Sequence, residues 1–110
     1  MTDRELMELA AKAAGKDLSV YEWFDTPSNP DECGFIRYAG DGTHVWNPLT
    51  DDGDALRLAV SLGLVVDCSR PSAGLPFYSH LHAEIGIEDW NAGTRRAIVR
   101  AAAEIARGRP

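Results

Sequence analysis

The sequence has few cysteines, an excess of acidic over basic residues, and no long apolar run. Of its 110 residues, 2 are cysteine, and 11 lysines and arginines stand against 17 aspartates and glutamates. No segment approaches the roughly 18 consecutive apolar residues of a membrane span. The first residues also lack the basic and then apolar pattern of a secretory signal. We therefore expect a cytoplasmic protein without a membrane partner.

The two cysteines, Cys33 and Cys68, match no metal-ligand spacing. Their scarcity predicts reduced thiols and a core that does not depend on a disulfide. Because 45% of the residues are hydrophobic and 25% are charged, the chain is too apolar to be disordered. Its length favours a single domain over residues 1–110.

The net charge of −6 is unevenly distributed. Residues 1–90 hold 6 basic and 16 acidic side chains, a net of −10, whereas residues 91–110 hold 5 arginines and Glu104, a net of +4. An acidic body disfavours broad contact with nucleic acid phosphates and favours basic protein partners.

Three helices are predicted from spacing and end signals. The first begins at a capping box of Thr2 and Glu5 and ends at Gly15. The second begins near Thr50 and Asp51 and ends at Gly63. Its buried face is predicted to comprise Ala55, Leu56, Ala59, Val60 and Leu62.

The third helix is predicted from about residue 94 to 106. Arg96, Arg100 and Arg107, here called the arginine stripe, fall within roughly 40° of one another around it. Arg95 and Arg109 lie beside the stripe in sequence. The expected core side is formed by Ile98, Ala101, Ala102 and Ile105.

The remaining segments predict two hairpins. The first pairs residues 35–38 with 43–46 around an Asp-Gly turn, a strong hairpin signal. The second joins a buried strand at 64–68 to a long strand at 77–87 through a turn at 69–74. The proline-containing stretch 26–31 is predicted to be a loop.

This order, α–ββ–α–ββ–α, predicts an α+β fold. We expect one mainly antiparallel four-stranded sheet with helices on both faces, a helix–sheet–helix sandwich. Residues 46–50 and 90–94 share Trp, Asn and Thr at equal spacing, and each segment opens a predicted helix. They are therefore interpreted either as a pseudo-repeat of ββα units or as convergence on good helix starts.

Three blocks resemble the phage ABA sandwich domain family of small phage and prophage proteins. They are residues 46–60, with the motif WNPLTDDGDA, residues 5–15, and residues 94–105. The resemblance implies a phage or prophage origin and an α/β/α sandwich. It implies no catalytic residues, because the family has no assigned chemistry. Many acidic phage accessory proteins of this size bind host proteins, including components of defence systems.

Two groups of residues could bind a metal ion. Asp51, Asp52 and Asp54 have the carboxylates that Mg²⁺ or Ca²⁺ prefers, but helix capping explains them better. The chain's three histidines could form a zinc site, although ordinary strand histidines are more common. These histidines are His44, His80 and His82. We expect no metal and no cofactor.

No arrangement typical of catalysis is present. Ser79, His80 and Cys68 offer nucleophile and base types without the strand–turn–helix elbow of a nucleophile. The Gly40-Asp41-Gly42 stretch lacks the lysine that follows in a phosphate-binding loop. We therefore expect a protein that is not an enzyme.

Binding is the function that the pattern favours. The aromatic residues Tyr21, Trp23 and Phe24 either cover an edge of the core or form a partner-binding patch. The three aspartates 51, 52 and 54 are further candidates for partner contact. The arginine stripe has three interpretations: a solvated helix face, a contact with a protein, or a contact with nucleic acid.

The leading hypothesis is a non-enzymatic phage accessory protein that binds a host or phage protein. Inhibition of a bacterial defence complex, as by an anti-CRISPR protein, is one form of it. The alternative is a small nucleic-acid-binding regulator that uses the arginine-rich C-terminal helix. A metal-dependent enzyme is a third hypothesis. Both a monomer and a homodimer are compatible with the charge pattern.

Overall fold

A computed structural model describes residues 1–40, 42–69, 71–75, 82–83 and 89–108. Within these residues, the helices are α1 (Asp3–Ala14), α2 (Asp52–Leu62) and α3 (Trp90–Ala106). The strands are β1 (Glu22–Thr26), β2 (Asn29–Ala39), β3 (Gly42–Trp46), β4 (Val65–Asp67), β5 (Ser72–Gly74) and β6 (His82–Ala83). The predicted α+β class is confirmed. No helix of the described part is long and apolar enough to cross a membrane.

The ends of α1 are those predicted from sequence. The Thr2 hydroxyl accepts a hydrogen bond from the Glu5 N–H at 3.1 Å, and the Glu5 carboxylate accepts one from the Thr2 N–H at 3.2 Å. Gly15 closes the helix in the left-handed conformation, at φ +71°, which costs glycine little. Local chemistry thus fixes the limits of α1.

Because of the capping box, the stability that the Glu5 carboxylate contributes depends on pH. The hydrogen bonds from the backbone and hydroxyl of Thr2 hold the pKa of the Glu5 carboxyl below its ordinary value. Since the folded pKa is the lower one, this contribution to stability is present above the ordinary pKa and is lost as the pH falls through the folded pKa. We expect an NMR titration of Glu5 to show the lowered pKa. Thr2→Ser should retain it, and Thr2→Ala should raise it; an unchanged value in Thr2→Ala would contradict the assignment.

The first sheet has the order β1-β2-β3 and is antiparallel throughout. The predicted hairpin is confirmed, with Phe35 opposite Trp46 and Tyr38 opposite Thr43. The predicted loop at 26–31 is partly wrong, because only residues 27–28 form a turn, with β1 ending at Thr26 and β2 beginning at Asn29. The prolines are tolerated there because the ladder is irregular at this end, where the register shifts between Asp25 and Thr26.

The second sheet has the order β4-β5-β6 and is also antiparallel. The predicted turn at 69–74 is partly wrong, because residues 72–74 form the buried strand β5. Strand β4 lies within the predicted range but is only partly buried, and it stands at an edge of the sheet. Of the predicted strand at 77–87, only 82–83 lie within the described residues, where they form β6.

The prediction of a single four-stranded sheet is wrong. Strand β1, which was not predicted from the sequence, pairs with the free edge of β2, so the two hairpins belong to separate three-stranded sheets. In the described residues, no single sheet lies between the helices. Helix α3 instead contacts α1, α2 and all three strands of the second sheet.

The central position of α3 explains its burial. Its buried side chains occupy most of its circumference, rather than one face; they include Ala97, Ile98, Val99, Ala101, Ala102 and Ala103. The predicted core side is confirmed for Ile98, Ala101 and Ala102, but burial extends further around the helix than the sequence predicts. Small alanines let the neighbouring elements approach α3 closely, which is how one helix can pack against so many partners.

The start of α3 also differs from the prediction. Asp89 caps the helix by accepting hydrogen bonds from the N–H groups of Asn91 and Ala92, at 3.0 and 3.2 Å. The helix therefore begins at Trp90, four residues before the predicted start. Trp46, by contrast, ends a strand, and α2 begins only at Asp52. The two similar segments thus have different structural roles, and the interpretation as a ββα repeat is wrong.

Candidate functional site

The link between β3 and α2 is built around a buried asparagine. Asn47 is 2% exposed, and its side-chain amide donates to the carbonyl of Cys33 in β2 at 2.6 Å. Its side-chain oxygen accepts from the N–H groups of Leu49 and Thr50, at 2.9 and 3.2 Å. One side chain thereby holds the end of the first sheet and shapes the chain that leads into α2.

The three aspartates at the start of α2 make different contacts. Asp51 is the N-cap of α2 and accepts from the Asp54 N–H at 2.8 Å. Asp54 is buried and accepts from the Asn47 N–H at 3.0 Å. Asp52 is 77% exposed and pairs with Arg95 of α3 at 2.7 Å. Only Asp52 therefore combines high exposure with a place beside a pocket.

Asp54 also binds Arg57, one turn further along α2. The guanidinium donates to the Asp54 carboxylate at 2.7 Å, and this hydrogen bond and charge raise the pKa of Arg57 above its ordinary value. The capping interpretation is confirmed for Asp51, whereas the Asp54 carboxylate accepts from the Asn47 N–H and from Arg57 instead. Within the described residues, no three His, Cys, Asp or Glu side chains are grouped so that they could hold a metal ion.

A pocket of about 310 Å³ lies between α2, β4 and the start of α3. We call it the α2–α3 groove. Its apolar lining consists of Ala55, Leu56, Val66, Trp90 and Ile98. Its polar lining consists of Asp52, Cys68, Asn91, Thr94 and Arg95. The groove thus combines apolar side chains with polar groups that could orient a bound partner.

Large apolar side chains stand open to solvent at this groove. Leu56 is 62% exposed and Trp90 is 53% exposed. Val60, one helical turn beyond Leu56, is 71% exposed. The prediction that Leu56 and Val60 belong to the buried face of α2 is wrong, because Ala55, Leu58 and Ala59 supply that face. Exposed leucine and tryptophan beside a pocket are typical of an interaction surface.

Arg95 is the positive group among the described residues that line the α2–α3 groove, and it is only 16% exposed. Its Nε donates to the carbonyl of Leu49 at 2.9 Å, and its Nη1 donates to Asp52 at 2.7 Å. In the sequence, Arg95 lies beside the arginine stripe. In the structure, the Arg95 side chain instead points towards α2. Its hydrogen bonds there link α3 to the start of α2 and to the segment that precedes it.

The predicted aromatic residues do not share one surface: Trp23 and Phe24 lie in β1, and Tyr21 precedes it. Trp23 is the register partner of Phe35, and their rings meet edge to face at 5.1 Å. Tyr21 is half-buried, with the ammonium of Lys16 5.1 Å from its ring centre. Phe24 follows Trp23 in the strand and so lies on the opposite face. The three residues therefore do not form one patch, and Trp23 and Tyr21 pack against the protein's own side chains.

The arginine stripe does lie along one surface. Arg96, Arg100 and Arg107 line a second pocket of about 310 Å³ together with Glu104. Arg96 is already paired with Asp3 of α1 at 2.9 Å, and Arg107 lies 3.8 Å from Glu104. Carboxylates thus offset part of the positive charge of the stripe. Arg109 lies outside the described residues.

The histidines and cysteines can be placed only in part. His44 is exposed on β3, opposite Arg37, and His82 lies in β6. His80 and Ser79 fall outside the described residues, so the proposed zinc and nucleophile groups remain predictions. Cys33 is a half-buried thiol, and Cys68 is an exposed thiol at the α2–α3 groove.

Sequence reasoning missed Leu56, Trp90 and Arg95 as groove residues. A signal existed in α2, where Leu56 and Val60 form a second apolar row beside that of Ala55, Leu58 and Ala59. A short helix that is apolar on two neighbouring faces has more apolar surface than one core contact needs.

Comparisons of the chain with protein-family models, with curated proteins and with solved structures find no match.

Proposed function

We propose that this protein acts by binding another protein through the α2–α3 groove, and that it does so without catalysis. The observation that carries this proposal is the exposure of Leu56 and Trp90 on either side of a pocket. Tryptophan is enriched among the residues that contribute most to protein interfaces. Burying these side chains against a partner would remove a large apolar area from water.

The size of the groove supports a protein partner. At about 310 Å³ it lies at the small end of ligand pockets, so it suits one large side chain of a partner. The neighbouring Val60 extends the apolar surface along α2 beyond the pocket. A partner's surface can contact both regions at once, whereas a small molecule would fill the pocket alone.

The biological setting is proposed from the sequence. The resemblance of residues 46–60 to phage ABA sandwich proteins supports a phage or prophage accessory protein whose partner is a host or phage protein. The net charge of −6 supports a basic partner. Inhibition of a bacterial defence complex by occupying a surface of it is one form that such binding would take.

Leu56→Asp tests this proposal directly. A charge at the centre of the contact should weaken binding at least about tenfold, because a buried interface residue would be replaced by an unpaired carboxylate. Affinity capture from bacterial lysate with the wild type would supply the partner, and titration calorimetry would measure its affinity for each variant.

Val20→Asp is the matched control, since Val20 is 60% exposed and lies outside the residues that line the groove. Binding that is unaffected by Leu56→Asp, or the lack of any captured partner, would count against the proposal.

A nucleic-acid-binding regulator is the second candidate, favoured by the three arginines that line one pocket. Its signature would be a complex with DNA or RNA that weakens steeply with salt and is lost in Arg96→Ala/Arg100→Ala. The pairing of Arg96 with Asp3 and the nearby Glu104 make this stripe a weaker phosphate site than its sequence indicates.

A further inference from the structure

The charges of the α2–α3 groove are unequally accessible. Among the described residues, its lining contains two charged side chains, Asp52 and Arg95. Asp52 is 77% exposed at the rim, whereas Arg95 is 16% exposed and lies beneath it. A partner that approaches the groove therefore meets a carboxylate first.

Arg95 is also committed to internal contacts. Its Nε donates to the Leu49 carbonyl and its Nη1 to Asp52 Oδ1. These two hydrogen bonds hold the guanidinium in place, and its remaining N–H groups belong to a side chain that is only 16% exposed. The Asp52 carboxylate is far more exposed, and its contact with Arg95 uses only Oδ1, which leaves a second oxygen for a partner.

We propose that the α2–α3 groove takes a basic peptide segment, with one large apolar side chain in the pocket and a neighbouring lysine or arginine on Asp52. This inference rests on the proposed function and specifies the chemistry of its partner. Leu56 and Trp90 would enclose the apolar side chain, and the rim carboxylate would select the cation beside it. The net charge of −6 would add attraction at longer range.

Selection from a displayed library of random peptides tests the inference without a known partner. Immobilised wild-type protein is the bait, and peptides that also bind Leu56→Asp are removed. We expect the enriched peptides to combine a leucine or aromatic residue with a lysine or arginine close by. Their dissociation constants are then measured as synthetic peptides in solution.

Asp52→Asn should weaken an enriched peptide about fivefold at low salt, and less in high salt, because the pair is exposed. Glu22→Gln is the matched control; Glu22 is exposed on β1 and lies outside the residues that line the groove, so its loss should change affinity less than about twofold. Replacing the peptide's lysine with glutamine should reproduce the loss, and should add nothing in Asp52→Asn.

The two proposals fail in different ways. Neutral or acidic peptides that require Leu56 and Trp90 but are indifferent to Asp52→Asn would overturn the basic-segment inference and leave the groove as a binding site. If no peptide depends on Leu56 and Trp90, the basic-segment inference and the proposed function both fail.

Discussion

Asn47→Ala is expected to lower the free energy of unfolding by about 3 kcal/mol. The substitution removes the donor to the Cys33 carbonyl and the acceptor for the Leu49 and Thr50 N–H groups. Because Asn47 is buried, water cannot replace these bonds freely, and each buried group left unpaired costs about 1–3 kcal/mol. Thr50 retains a bond to the Asn47 carbonyl, so the losses do not simply add. Urea unfolding followed by tryptophan fluorescence measures the effect.

Asn91→Ala is the matched control for this experiment. Asn91 occupies the equivalent place in the similar segment 90–94, but it is exposed in the first turn of α3. Its loss should change stability by less than about 0.5 kcal/mol, as is usual for surface positions. Equal losses in the two variants would contradict the structural difference between the segments.

Gly34→Ala is expected to lower the free energy of unfolding by about 2 kcal/mol. Gly34 has φ +147°, a conformation that residues with a side chain rarely adopt. A Cβ atom there would lie 3.1 Å from the backbone oxygen of Trp46 and 3.2 Å from the Cβ of Asn47. The backbone oxygen cannot move without disturbing the β2–β3 pairing, so strain and crowding act together. Thermal or urea unfolding would show the loss.

Gly40→Ala separates this effect from the general cost of losing a glycine. A Cβ atom at Gly40 meets no atom within 4 Å. The substitution should leave stability unchanged or raise it slightly, since alanine restricts the unfolded chain. A similar loss in both variants would show that the close contact at Gly34 is not the cause.

Asn47 also bears on the α2–α3 groove. It shapes the chain at Leu49, and the Leu49 carbonyl accepts a hydrogen bond from Arg95 at the groove. The same segment therefore joins the first sheet, α2 and α3. We therefore expect Asn47→Ala to change the shape of the α2–α3 groove as well as the stability.

The candidate site was only partly predictable from sequence. Asp52 was named as a candidate for partner contact, and the structure places it at the rim of the groove. Its neighbours Asp51 and Asp54 could not be distinguished from it, because three nearby carboxylates look alike until the direction of each side chain is known. Asp54 points to the Asn47 N–H, and Asp51 caps its own helix.

The sequence by itself determined the helix limits at Thr2, Gly15, Asp51 and Gly63, and the hairpin of β2 and β3. Caps and tight turns depend on residues only a few positions apart, so local chemistry is sufficient. Tertiary structure alone decided that β1 would complete the first sheet, that α3 would be buried on most sides, and that Leu56 would face solvent while Leu58 was buried. Those outcomes depend on which distant elements pack against each face, and an apolar residue has the same identity whether or not a neighbour covers it.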